Sequence, residues 1–590
     1  MDLRGRSRLL FIAVIAGLLF LAYARSLGNQ FVYDDRHLIL ENPLVRDAGT
    51  LPAVFGEEFY RGLTYYRPLP LISFIVEYRL WGPNPPAFHL TNIILVAATG
   101  IALFLFLSRM FGSHRAGLAL FATLLVGLHP VMSSVAFAVG ARADLLAMPL
   151  LLFALFFYLR AGTASFALSL ICFGLALLSK ETAVTFPVVI LVLEALGLHA
   201  DRRFTMTGRT LWRHLPFWAL LGAYFAIRSV VLTDTAGNFA MKGMSVLKSY
   251  AYLLQTSILP YVGLMYEPRF EDWFSPARSA AAGLVMAILL LAVVRAGRER
   301  AREGAFWMLW AIVTYLPTSS IVEQETTWDE RYLVLPLVGI ISFACVAADL
   351  LRLRGRRLTR AKLISGVGLL IVFAAITLGR SAFWKDDLAF FTQWRKTSPS
   401  NPRPHNNLGI VYREMGRLPP AMECFEEAIA ADSSYVRAYN NLGLARATLG
   451  RYEEAIPLYL KATEIDSTYG VAFYNLATAY GVTGRPDLAL GSYDKALRVH
   501  PGWARALYEA GQTCLRIGKL DAAADYFRRS IAAERRMAGA YFGLSLVLER
   551  QGLLDEAIDA MKEGLERAPR DKAARERLEM LLEKSADEDS

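Results

Sequence analysis

The sequence predicts an all-α chain in two parts. A polytopic helical membrane domain of about eleven spans covers residues 1–380, and a helical solenoid covers 402–571. Three observations predict this. Hydrophobic residues make up 55% of the 590, and the mean hydropathy is +0.34, too apolar for a soluble chain of this size. The apolarity is uneven: residues 9–380 carry apolar runs broken by short basic or Gly/Pro-rich joints, whereas 400–590 reads as charged, Ala-rich amphipathic helices. Finally, glycines recur every 34 residues in the second part.

A span needs ~20 apolar residues. The candidates are 9–25, 87–108, 116–130, 144–160, 164–179, 182–198, 212–231, 278–295, 304–319, 332–350 and 363–380. Alternate joints are rich in arginine: Arg4, Arg6 and Arg8; Arg109 and Arg115; Arg160; Arg202, Arg203, Arg209 and Arg213; Arg295, Arg298, Arg300 and Arg302; then Arg352 to Lys362. The positive-inside rule places these joints and the N-terminus in the cytoplasm. An odd number of spans then puts the C-terminal domain outside it, in the periplasm, the extracellular space or the ER lumen. Residues 246–264 break the alternation and read as a re-entrant or interfacial helix. The first segment, with "AYA" at 22–24, also has the pattern of a signal peptide; cleaved or not, it leaves a first outer loop of about 26–86 outside. The net charge of +10 sits largely in these joints, so the partner it implies is membrane lipid rather than nucleic acid. Cys172, Cys345, Cys424 and Cys514 are too far apart for a CxxC or a structural zinc site.

After a linker at 381–401, Gly416, Gly450, Gly484, Gly518 and Gly552 each end a first helix, and Ala421, Ala455, Ala489, Ala523 and Ala557 open a second. Phe425, Tyr459, Tyr493, Phe527 and Met561 follow four residues later on the same helix face. The spacing is that of five tetratricopeptide repeats, with a capping helix and polar tail at 572–590. Such an array holds an extended peptide or a partner protein; a rigid spacer or self-association module is the alternative. Tyr439, Phe473 and Tyr541 have the spacing of core residues.

Ionisable groups beside membrane segments are costly, which makes each a functional candidate. The predicted outer face receives Asp34 and Asp35, Arg67, His129, Arg142 and Asp144, Lys180 and Glu181, Glu267, and Glu330 and Arg331. Singly, each has a structural alternative: an acidic turn for the aspartates, an ion pair at a helix joint for Arg142 and Asp144, a satisfied histidine before Pro130, and a helix end at Lys180–Glu181. Together they supply acids, bases and guanidinium groups suited to phosphate. A transferase that takes a sugar from a polyprenyl phosphate needs cations for the leaving phosphate and a carboxylate to accept the proton of an acceptor hydroxyl. Adjacent residues do not share one direction on a helix or strand, so Asp34 and Asp35 take different jobs, with Asp35 the weakly favoured base.

The motifs "FVYDD" (31–35), "YYRPLP" (65–70), "FHLTNIIL" (88–95), "HPVMSSVAFAVGARADLL" (129–146), "SKETAVTFP" (179–187), "YAYLLQTSILP" (250–260) and "ERYLVLP" (330–336), followed by the repeats, resemble in their order the transmembrane and tetratricopeptide-repeat O-mannosyltransferases of the GT-C glycosyltransferase superfamily. The resemblance implies a GT-C-like membrane domain that moves a sugar, typically mannose, from a polyprenyl-phosphate carrier to Ser or Thr of extracytoplasmic proteins. It implies catalysis by Asp34 or Asp35 in the first outer loop. It also implies carrier binding by Arg331 first, then Arg142, Lys180 and Arg67. The chain departs from the family at Ser134, where members usually carry an acid after "HPV", and the short array fits a bacterial-type relative. Superfamily members differ in metal use, and Asp34, Asp35 and Glu181 offer only a sparse oxygen set for a divalent cation. A non-catalytic membrane scaffold and a transporter of lipid-linked sugars are the competing readings.

Overall fold

Proline and glycine punctuate the first part of the chain as helix physics requires. Pro68 and Pro85 open helices where their missing N–H is not needed, and Gly82 (φ +63°) and Gly112 (φ +80°) close them. The computed structural model describes residues 5–46, 52–56, 65–198, 208–232, 243–260, 269, 273–295, 297–318, 329–350 and 356–588. The chain divides into two units, Met1–Ser400 and Asn401–Ser590.

The first unit contains α1 (Gly5–Tyr23), α2 (Pro68–Trp81), α3 (Pro85–Phe111), α4 (Ala116–Leu128), α5 (Arg142–Tyr158), α6 (Thr163–Leu177), α7 (Phe186–Ala195) and α8 (Gly208–Val231). These are followed by α9 (Gly243–Ile258), α10 (Pro276–Arg295), α11 (Arg298–Tyr315), α12 (Val334–Leu350), α13 (Arg356–Arg380) and α14 (Asp387–Thr397). Among the described residues, seven helices are long and apolar enough to cross a membrane, or eight if the bent pair Ser113–Leu128 and Pro130–Ala136 counts as one span. The sequence expectation of about eleven is larger for visible reasons. The stretch at 182–198 begins with a 3-10 turn and leaves a helix of only 10 residues, Phe186–Ala195, and α6 has 15. The first turns of α11, "RERAREG", are charged. Helix α9 has 16 residues and does not pass as a span; 261–264 and Glu267 lie outside the described residues.

The bend between α4 and the short helix after it falls at 52°, where Pro130 cannot continue the helix. Backbone carbonyls freed at such a break need partners inside a bilayer. They have them: Tyr23 donates its hydroxyl to Gly127 O (2.8 Å), Thr377 to Leu128 O (2.9 Å), and Arg380 an N–H to Pro130 O (2.6 Å). The apolar windows of α5 and α12 are 72% buried, whereas those of α10 and α13 are 11% buried. The former pair is therefore central and the latter peripheral, with Leu284, Ile288, Leu363, Ile364 and Ile371 left on an apolar outer surface suited to lipid. Gly339 lets α12 meet α11 closely: a Cβ there would lie 2.5 Å from Trp307 O.

The stretch expected as a linker is folded. Asp386 caps α14 through Ala389 N (2.8 Å), and Phe390, Phe391 and Trp394 are buried within the first unit.

In the second unit the five helix pairs run from Pro402–Glu414 with Leu418–Ala431 to Ala538–Arg550 with Leu554–Arg567. The five punctuating glycines have φ between +73° and +77°. At the first, Arg417 N donates to Tyr412 O (2.8 Å) and Gly416 N to Arg413 O (2.9 Å), the paired bonds of a Schellman stop. The alanines that open each second helix are fully buried, and a Cβ on Gly443 would strike the Tyr459 ring, so small and large residues interdigitate between helices. Phe473 and Tyr541 are buried as expected; Tyr439 is half-buried. The helix Lys572–Glu588 covers the last repeat with Ala574 and Leu581.

Candidate functional site

Phe31 and Val32 are buried beyond α1, and the chain then turns sharply at Tyr33, whose φ of +52° is the only positive value among described non-glycine residues. A bulky side chain in this region costs on the order of 1–3 kcal/mol and persists only where the surroundings impose it. Asp34 and Asp35 follow at once. Asp35 is 2% exposed; its Oδ2 accepts from Val32 N (3.1 Å) and its Oδ1 from Gly140 N (2.5 Å). Burial pushes its carboxyl up to about 7, against those backbone donors and with the help of the Asp34 charge. Asp34 is half-exposed. The two adjacent acids thus differ: Asp35, the base favoured from the sequence, is buried and bonded to backbone, whereas Asp34 is partly exposed. Gly140 suits this approach, since a Cβ would sit 3.2 Å from Asp35 Oδ1 and 3.4 Å from Asp34 Cβ, tighter than ordinary contact.

Gly140 belongs to the turn Val139–Ala141 that leads into α5, and Asp144 lies in the first turn of that helix. Asp144 pairs with the buried Lys180. Beside them Arg67 grips Glu181, Nε to Oε2 at 2.9 Å and Nη2 to Oε2 at 2.7 Å, while its guanidinium lies 4.2 Å from the Tyr65 ring centroid. Arg331 Nε stands 3.1 Å from Asp329 Oδ2, and both Lys180 and Arg331 lie 5.5 Å from the Tyr332 ring centroid. Burial lowers the Lys180 ammonium, and the neighbouring Arg67 and Arg331 charges lower it further while Asp144 opposes them. Burial raises the Asp329 carboxyl, with Arg331 and Lys180 opposing. Three cations and three carboxylates therefore share one electrostatic neighbourhood, and the start of α5 ties it to the acid loop.

Three expected site residues are elsewhere. Arg142 is fully buried and saturated: it pairs with Glu77 and donates to Asn92 Oδ1 (2.6 Å) and Phe88 O (3.0 Å). Its partner is Glu77 and not Asp144. Glu330 is held by Arg380 at 2.7 and 2.9 Å in a buried pair. His129 accepts from Val131 N at 3.2 Å, and its Nε2 faces Ser257 O at 3.2 Å. Ser134, three residues after Val131 in the same motif, donates its hydroxyl to Val131 O (2.7 Å). His129, Arg142 and Glu330, all expected among the substrate contacts, thus have their polar atoms bonded inside the helical bundle. The sparse metal set does not assemble either. Asp35 and Glu181 are engaged by backbone and by Arg67, and no group of three metal-ligating side chains occurs among the described residues.

Sequence reasoning missed Asp329, Glu77, Arg380 and Tyr224. The first adjoins a chosen motif; the next two would have shown as acids and bases within or next to apolar runs. Tyr224 carried no signal. Its ring lies 6.3 Å from that of Tyr66, within electrostatic reach of Glu181 and Arg67, and its buried hydroxyl has no hydrogen-bond partner among the described residues.

Comparison with known proteins follows this division of the chain. The family model described as Tetratricopeptide repeat matches residues 406–469, 474–535 and 516–572. "Protein O-mannosyl-transferase F38B6.6" of Caenorhabditis elegans is 24% identical over 454 residues, covering 73% of this chain and 64% of the relative. "Protein O-mannosyl-transferase TMTC1" of Homo sapiens is 27% identical over 481 residues, covering 71% of this chain and 54% of the relative. The Mus musculus protein of the same name is 37% identical over 204 residues, 31% of this chain and 22% of that one. The chain thus spans between about half and two thirds of the length of the first two. In its apolar helices, its repeats and its sequence, the chain is similar to these proteins, named protein O-mannosyl-transferases.

Proposed function

We propose that the chain is a GT-C-type membrane glycosyltransferase that moves a sugar, mannose by analogy with the named relatives, from a polyprenyl-phosphate carrier to Ser or Thr hydroxyls of extracytoplasmic proteins. One observation supports this above the others: a partly exposed acid, Asp34, on a loop pinned to the turn before α5, whose Asp144 pairs with Lys180 of the Arg67, Lys180 and Arg331 cluster. In the reaction, Asp34 accepts the proton of the acceptor hydroxyl as its oxygen bonds to the sugar C1 and the C1–O bond to phosphate breaks. The carrier phosphate gains a negative charge as it leaves. Arg67, Lys180 and Arg331 meet that charge, each already oriented by its carboxylate, so little reorganisation is needed in the transition state. Charge patterning supports placing this face and the repeats outside the cytoplasm, and the repeats then engage the acceptor or a partner protein.

The test is transfer from polyprenyl-phosphate mannose to a Ser/Thr peptide by the purified full chain. Asp34→Asn is expected to lower kcat by at least ~100-fold, the scale of a lost general base, with the melting temperature unchanged. Retained transfer would sink the assignment. Carrier movement across vesicles without transfer would instead identify a transporter, and neither activity would leave the scaffold reading.

A further inference from the structure

The acid loop is held from far along the sequence. Gln30 N donates to Lys385 O (2.9 Å), Tyr33 N to Asp387 Oδ1 (2.8 Å), and Arg36 Nη1 to Asp387 Oδ2 (3.1 Å). The Tyr33 ring sits among three aromatics of the same helix, with centroids 6.1 Å from Phe390, 5.6 Å from Phe391 and 5.8 Å from Trp394. Asp387 opens α14, directly after the last apolar span, Arg360–Trp384. A tyrosine does not stay at positive φ unaided. Here one carboxylate receives the N–H of the strained residue and an N–H of Arg36, just beyond the two aspartates, so it brackets Asp34 on both sides. Asp35 anchors the same loop from within, through Gly140.

We propose that Asp387 is a positioning residue for transfer: it holds Tyr33 in its left-handed conformation and so aims the Asp34 carboxylate, while touching no substrate itself. This rests on Asp34 being the reacting base. Asp387 falls in the stretch read from the sequence as a linker, 381–401, and outside the motif series. Its neighbour Asp386 supplies an internal control, because it caps the same helix through Ala389 N, whereas the Tyr33 N–H goes to Asp387.

The experiment compares Asp387→Ala, Asp387→Asn, Asp386→Ala and Asp34→Asn in the full chain, measuring kcat and donor KM with polyprenyl-phosphate mannose and a Ser/Thr peptide. Misaiming a reacting group by about 1 Å costs up to ~100-fold. Asp387→Ala is therefore expected to lose about tenfold or more in kcat with donor KM within about twofold. Asp387→Asn, which keeps an oxygen for Tyr33 N, is expected to recover most of that loss, and Asp386→Ala to stay within about threefold of wild type. Wild-type kcat in Asp387→Ala, an equal loss in Asp386→Ala, or no recovery in Asp387→Asn would overturn the proposal while an inactive Asp34→Asn upheld the base. An active Asp34→Asn would overturn both.

Discussion

A buried carboxyl whose native pKa stands well above its unfolded value binds a proton more readily in the folded state. For Asp35, raised to about 7 from 3.8, the neutral form is the one the fold favours. Its contribution to stability is complete below about pH 4 and is lost as pH rises through 7. The unfolding midpoint is accordingly expected to fall between about pH 4 and 7, and to fall less in Asp35→Asn; parallel profiles would show that Asp35 is not the titrating group. Tyr224 poses a different residue-scale question. A buried hydroxyl without a partner costs about 1–3 kcal/mol, and this one lies by the cation cluster. Tyr224→Phe should raise the melting temperature of the free protein and raise donor KM severalfold, as expected if the hydroxyl is kept to bond the donor. A lowered melting temperature with unchanged KM would contradict this.

At the scale of elements, the short turn Val139–Ala141 with the start of α5 does several tasks. Gly140 N binds Asp35, Arg142 locks α2 and α3 through Glu77 and Asn92, and Asp144 orients Lys180. These three positions fall within five residues of one motif, "GARAD", and the sequence marked the last two as candidates without separating their tasks. Spacing shows which residues lie near one another along the chain; it does not show that Arg142 turns inward to Glu77 while Asp144 meets Lys180. In the repeats the element scale is simpler, because the first helix of each repeat ends on a glycine that the conformation demands. Gly450, at φ +77° with open space around its Cα, is strained by any side chain. Gly450→Ala is expected to destabilise the repeats by about 1 kcal/mol, read as a lower denaturant midpoint at constant slope. No change would show that the stop tolerates a Cβ.

For the whole molecule, the division into Met1–Ser400 and Asn401–Ser590 predicts that residues 401–590, produced alone, are soluble, helical and cooperatively folded; aggregation or a non-cooperative melt would contradict that. The repeats were legible in the sequence down to individual glycines, alanines and aromatics, because each contact they make lies within about one repeat length. The apolar character of the first unit was equally plain, since lipid imposes length and composition on a span. The site was legible as an inventory: Asp34, Asp35, Arg67, Asp144, Lys180, Glu181 and Arg331 were all named from their motifs. What only the tertiary structure decided was who faces whom. Asp35 bonds to the Gly140 turn, His129, Arg142 and Glu330 bond within the helical bundle, and the stretch read as a linker supplies Asp387 to the loop 351 residues before it. A charge near a membrane segment announces a cost that must be met, but the partner that meets it can come from any helix, and that choice is made by packing.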